Sequence, residues 1–310
     1  MSSTLWDPAR LPPQTGRTVV VTGGNAGIGY FASEQLASAG ARIVMASRSK
    51  DRADAAAASI RDRVPGAQVD FIRLDLSSLG SIREAAEQIR RLDRVDVLIN
   101  NAGATSGPNE RILTEDGIES VMGTNAFGPF ALTALAFPAL KDGARVVSLG
   151  SMATRIVRLD ADNLQSEHGK YNYFRAYGYS KHAMHAFALE LQRKLAAAGR
   201  GVESLLAHPG FAVDALAPRR PGITDQDSAG KRFVDLISAP IAQGKDKGAW
   251  PIVRAAIDPD ARGGEFYGRR RSVAGRPVVI APVASSADPA FGEEFWRQAE
   301  AATAIHFEPK

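Results

Sequence analysis

The chain has no cysteine among its 310 residues. A disulfide framework, a thiolate nucleophile and a thiolate metal site are therefore all excluded. Long apolar runs are missing too. The most apolar stretch, residues 127–140, is interrupted by Gly128, Pro129 and Pro138 and is too short to cross a bilayer. Residues 1–13 contain neither an apolar core nor a cleavage-like site, so no secretion signal and no membrane anchor are expected, and the expected location is cytoplasmic. Histidine is sparse, and His182 and His185, three apart, have no carboxylate or cysteine at ligand spacing, so no metal is expected. The formal charge of +4 is spread out, with one dense basic run, Arg269-Arg270-Arg271. Such a run reads as a solvated loop, or as a local potential for an acidic substrate or cofactor phosphates, and no nucleic acid partner is expected. Hydrophobic content of 45% is ample for a buried core, and no repeat stands out.

What is present begins at residues 17–22, Arg-Thr-Val-Val-Val-Thr, whose β-branched residues predict a buried strand. The chain then enters Gly23-Gly24-Asn25-Ala26-Gly27-Ile28-Gly29 and a helical pattern over 30–39, closed by Gly40. Gly23 permits the tight turn, Gly27 lets backbone approach a pyrophosphate, and Gly29 allows close helix–strand packing. The helix N-terminus adds N–H donors and the positive end of its dipole. A second strand over 41–46 ends at Ser47-Arg48. An acid at this point would hold a ribose 2′-hydroxyl, whereas an arginine accommodates a 2′-phosphate, so Arg48 favours NADP(H), with NAD(H) as the lesser option.

Third and fourth strands are predicted over 68–74 and 95–100. The third ends at Asp75-Leu76, a carboxylate and an apolar side chain suited to flank an adenine. The fourth leads into Asn101-Ala102-Gly103. Helical patterns such as 81–92 fill the intervals, and Ala53 to Ala58 is an alanine-rich helix piece. The fold expected is α/β: one domain with a doubly wound, Rossmann-like parallel sheet in three α/β/α layers, and a crevice at the strands' carboxyl ends. Further on, Tyr177 and Lys181 stand four apart, which places phenol and ammonium on one helix face. A nearby cation favours a phenolate and brings a tyrosine into a useful acid–base range.

Taken together, the glycine turn, Asn100-Asn101-Ala102-Gly103 and the Tyr177/Lys181 pair resemble the short-chain dehydrogenase/reductase family over nearly the whole chain. The resemblance implies a catalytic tetrad of Asn125, Ser151, Tyr177 and Lys181. It implies cofactor contacts from Gly23, Asn25, Ala26, Gly27, Ile28, Gly29, Arg48, Asp75, Leu76, Asn101, Ala102, Gly103, Tyr177, Lys181, Pro209 and Gly210. Family members carry paired serines before an apolar-Ala step. Here the first is Gly150, which leaves Ser151 as the register match and Ser148 as the alternative. Asn25, the run from Leu74 to Leu79 with Ser81-Ile82-Arg83, the run from Leu113 to Glu119 and a long insert between Ser151 and Tyr177 are most similar to one branch. It contains retinol dehydrogenases, the WW-domain oxidoreductase and light-dependent protochlorophyllide reductase, and it mostly favours NADP(H).

The resemblance implies hydride transfer between the cofactor and a small carbonyl or alcohol substrate. In it Tyr177 passes the proton, Lys181 lowers the Tyr177 pKa and reaches the nicotinamide ribose, Ser151 holds the substrate oxygen and Asn125 organises the helix. Alternatives are a non-catalytic NADP(H)-binding regulator and a redox-neutral epimerase or dehydratase. Residues 1–16 are expected as an N-terminal extension and 17–310 as the cofactor-binding domain. Within it a substrate lid is expected at about 211–240, with Phe211, Leu216, Phe233 and Ile237 as pocket or packing residues. A C-terminal extension follows from about 265, with Phe291, Phe295 and Trp296 docking its helix. Asp214 stands where many relatives have a cofactor-contacting threonine. Pairing into a homodimer or homotetramer is expected, if at all, through 112–140 and 177–198.

Overall fold

Strand β1 (Thr18–Thr22) is buried at all five positions, as a β-branched run must be when helices cover both of its faces. The computed structural model describes residues 6–223, 242–269 and 275–309. Beside β1 lie β2 (Arg42–Ser47), with β3 (Val69–Arg73) beyond it, and on the other side β4 (Val95–Asn100). Then follow β5 (Leu140–Leu149) and β6 (Glu203–Ala207), all parallel. Two further short strands, Phe266–Arg269 and Pro277–Val279, complete an eight-stranded sheet among the described residues. The first continues the parallel sheet beside β6, and the second is antiparallel to it. The chain thus winds outward from β1 to β3, returns to β4, and winds the other way. This reversal puts the crevice outside the carboxyl ends of β1 and β4.

Helices α1 (Gly27–Ser38), α2 (Lys50–Arg63) and Trp250–Ile257 cover one face, over a core including Val19, Phe31, Ile43 and Ile252. On the other face lie α3 (Leu79–Arg90), α4 (Ser120–Met122), α5 (Gly128–Ala136) and the long α6 (Tyr173–Ala197). Their core includes Ile82, Phe127, Phe130 and Phe187. The C-terminal helix Pro289–Thr303 packs on α5 and α6 through the buried residues Phe291, Phe295 and Trp296. Phe130 makes edge contacts with Phe187, Phe295, Trp296 and Phe307, and Trp296 stacks on Phe307.

Two sequence expectations about this frame need correction. Residues from 265 onward are less an extension than part of the frame, because Phe266–Arg269 is a strand of the main sheet. For the same reason Arg269 is not on a solvated loop. It is buried, donates to the Lys247 carbonyl and lies with its guanidinium over the Trp250 ring. Arg270 and Arg271, and Phe233 and Ile237 of the expected lid, lie outside the described residues. Among the described residues no helix is long and apolar enough to cross a membrane, and no cluster of metal-ligating side chains occurs.

Candidate active site

The carboxyl ends of β1 and β4 are tied together by one hydroxyl and one amide. Thr22 Oγ1 accepts from the backbone N–H groups of Asn101 and Ala102, both at 3.0 Å, and the Asn101 amide donates to the Thr22 carbonyl at 2.8 Å. Gly29 sits so close beneath that any β-carbon on it would run into the Asn101 amide and the Gly23 carbonyl. Gly23 and Gly27 both take positive φ, 65° and 56°, which shapes the turn between strand and helix. Helix α1 opens at Gly27 with no side-chain cap and no acid in its first turn, whereas α2 and α3 are capped by Ser49 and Ser78. An uncapped, glycine-flanked N-terminus at a sheet's switch point suits a phosphate-bearing ligand.

Around this turn the expected contact residues fall into place unevenly. Asn25, Ile28, Asn101, Ala102, Pro209 and Gly210 are partly buried at the rim, and Ala26 and Gly103 are exposed. Arg48 is exposed directly after β2. The Asp75 carboxylate accepts from the Ser77 backbone and hydroxyl, at 3.0 and 2.7 Å. The Leu76 side chain is buried in the core, and its carbonyl lies against Gly128.

Asn125 occupies a π-helical segment, Gly123–Phe127, between α4 and α5, the kind of irregularity that re-aims side chains at functional sites. Glu119 sets up this segment by accepting from Val121 and Met122 N–H at 3.0 and 2.7 Å, and it also receives the Tyr171 hydroxyl at 2.9 Å. Asn125 Oδ1 accepts from Ala104 N at 2.7 Å, and its Nδ2 donates to the Ala104 carbonyl at 3.0 Å and to Ser180 Oγ at 3.1 Å. Ser180 in turn donates to the Tyr177 carbonyl at 2.8 Å. Asn125 therefore braces the loop after β4 against the turn of α6 that carries the tyrosine.

Ser151 follows β5, where its Oγ accepts from Ala153 N at 3.2 Å, and its hydroxyl interacts with the Tyr177 phenol. Ser148 lies inside β5 opposite Asn100, wholly buried. Lys181 is also buried, donates to the Leu149 carbonyl at 3.0 Å, and stands 5.8 Å from the centre of the Tyr177 ring. Burial, with no carboxylate to compensate, lowers its pKa to about 8. Burial likewise pushes the Tyr177 phenol above its ordinary value, and Ser151 offsets this only in part. The Lys181 ammonium is turned to the Leu149 carbonyl, and burial is the main influence on the Tyr177 phenol.

Sequence reasoning did not single out Thr22, Ser180 or Glu119, which act on backbone rather than on a ligand. Nor did it find that Asp214 pairs with Lys245, 31 residues on, through a close salt bridge. His182 bonds Ser286 Oγ and the Val157 carbonyl, at 2.6 and 2.8 Å, as a structural residue. A cavity of about 670 Å³ between Ile156, Leu159, Phe174 and Tyr179 opens on another face of α6, and Ser151, Tyr177 and Lys181 do not line it. We take the strand-end cleft, where the polar groups converge, as the site.

Comparison with known proteins places this arrangement. The family model for short chain dehydrogenases matches residues 17–217. A mouse (Mus musculus) polyprenol dehydrogenase is 38% identical over 83% of this chain and 76% of its own length. Human (Homo sapiens) retinol dehydrogenase 13 is 43% identical over 67% of this chain and 62% of its own. Among solved structures, an uncharacterized protein from Mycobacterium paratuberculosis superposes with a TM-score of 0.79 at 35% identity, covering 98% of this chain and 99% of that one. The NADP complex of RhlG from Pseudomonas aeruginosa has a TM-score of 0.59 at 26% identity, covering 82% of this chain and 94% of that one.

Proposed function

This chain belongs to the short-chain dehydrogenase family of oxidoreductases, and we propose that it moves a hydride between NADP(H) and a carbonyl or alcohol carbon, with Tyr177 handling the proton. The observation that carries this reading is the convergence of Tyr177, Ser151 and Lys181 beside an uncapped helix and its glycine turn. The cradle has no β-carbon where a pyrophosphate would pass, and its first N–H groups have no side-chain acceptor, so the residues fit a dinucleotide. Arg48, exposed at the end of β2 where no acid stands, favours a 2′-phosphate, and the NADP-bound structural relative supports the same choice.

When bound, the nicotinamide supplies or receives the hydride. The protein's part is to hold the substrate oxygen and manage one proton. Ser151 and Tyr177 offer two hydroxyls to that oxygen, which fixes the reacting carbon in position. Because burial keeps the phenol protonated at neutral pH, Tyr177 is set up as a donor to the oxygen of a carbonyl undergoing reduction. Alcohol oxidation needs the phenolate, so its rate rises as the solution becomes alkaline. Lys181 holds a charge close to the same turn and lies within reach of the loop that ends in Gly103. Two relatives are named for polyprenol and retinol, which makes isoprenoid alcohols and their carbonyl forms the first panel to assay.

Replacing Tyr177→Phe tests the reading. Turnover on an active substrate should fall by about 10²–10⁴-fold, the range for a lost general acid, while NADPH still binds. Full activity in that variant would overturn it.

A further inference from the structure

Two strands of two residues each, Ala212–Val213 and Gln243–Gly244, pair in parallel with Val213 opposite Gly244. The next residue on one is Asp214 and on the other Lys245, so the ribbon delivers the two side chains together. They form a close salt bridge with side chains only 11% and 23% exposed. The ribbon is itself fastened to α1. Gln35 donates to the Asp246 carbonyl at 2.8 Å, and Arg220 holds Glu34 with two bonds of 2.6 and 2.7 Å, while Gln243 ties the ribbon to the loop after β6 through the Pro209 carbonyl at 2.7 Å.

This fastening sets Lys245 over the glycine turn. For a β-carbon built on Gly27, the three nearest heavy atoms all belong to Lys245, with Nζ at 3.6 Å. The direction in which Gly27 is open is thus the direction from which the ammonium approaches. A carboxylate cannot donate to a phosphate and repels it, so Asp214 is no ligand for one, whereas an ammonium held in place is.

We propose that Lys245 is a phosphate-binding residue of the dinucleotide site, meeting the cofactor's diphosphate across the turn from the N-terminus of α1. In this arrangement Asp214 keeps the ammonium from being an isolated, half-buried charge and shares it with the phosphate when the cofactor binds. The inference rests on the proposed NADP(H) dependence and adds a contact that the glycine turn does not contain.

NADPH affinity measured by cofactor fluorescence, at low and high salt, tests it on wild type, Lys245→Gln and Asp214→Asn. Lys245→Gln should weaken binding by about tenfold or more, the loss of one charge-assisted hydrogen bond, and should flatten the salt dependence. Asp214→Asn should bind as tightly as wild type or more tightly, because the ammonium is then unshared. Lys245→Arg, which keeps the charge, should retain most of the affinity and guards against a folding defect in the glutamine variant. Unchanged affinity in Lys245→Gln would overturn the inference. So would equal weakening in Lys245→Gln and Asp214→Asn, which would make the pair only a brace for the ribbon. If wild type itself fails to bind NADPH, the proposed function falls and this inference falls with it.

Discussion

The His185 imidazole fills the space that a β-carbon on Gly150 would need. Its Cδ2 would lie 2.9 Å from that carbon and its Nε2 nearer still. The ring is fully buried, packs edge-on against Phe266, and is held neutral by burial, which lowers its pKa to about 3. The glycine that interrupts the family's serine pair is therefore one half of a steric exchange, with the histidine on α6 as the other half.

From this relationship, Gly150→Ala should destabilise the fold by about 1–3 kcal/mol, the usual cost of overpacking a core. His185→Ala opens a cavity and should destabilise by itself as well. The double variant should be more stable than the sum of the two losses predicts, which a double-mutant cycle in urea would show. Strict additivity would mean that the two positions do not compete for space.

Ser151 and Ser148 are separated by the same kind of measurement. Ser151→Ala removes a hydroxyl beside the Tyr177 phenol and should lower kcat by roughly 10²-fold, as for other lost donors at a reacting oxygen. Ser148 Oγ is buried without a hydrogen-bond partner, so Ser148→Ala should leave both turnover and stability nearly unchanged. Steady-state kinetics of the two variants would decide, and the reverse pattern would exchange their roles.

Lys181 makes stability depend on pH in an unusual direction. Its pKa is about 8 in the folded protein against an ordinary 10.5, so between these values the unfolded chain binds the extra proton. Stability must then rise with pH across that window, the burial penalty being complete below about 8 and lost toward 10.5. Urea midpoints of wild type should climb between about pH 8 and 9, before the tyrosines of the unfolded chain begin to lose protons near pH 10 and oppose the rise. Lys181→Met should lack that climb, and parallel curves for the two proteins would refute it.

How far the sequence could be read depended on how local each signal was. The strand, glycine turn and helix from Thr18 to Ser38 lie in one stretch, and their pattern can be read without knowing the fold. Tyr177 and Lys181 were legible for the same reason, being one helical turn apart. What escaped was created by the tertiary fold. Lys245 reaches Gly27 only because a two-residue ribbon brings distant segments together, and nothing in its neighbours marks it. Arg269 looked solvated because its run is basic, yet its place in a strand of the main sheet buries it over Trp250. The burial of the Tyr177 phenol was not legible, because spacing reveals a neighbouring charge but not the loss of water around it.

The aromatic seam between the C-terminal helix and the α5–α6 layer also bears on self-association. Residues 112–140 and 177–198 were the expected meeting ground for a second copy, but Phe130 and Phe187 there are already spoken for by Phe295 and Trp296 of the same chain. A second copy approaching those two rings would meet the C-terminal helix first, so any contact it made there would be with the outer side of that helix.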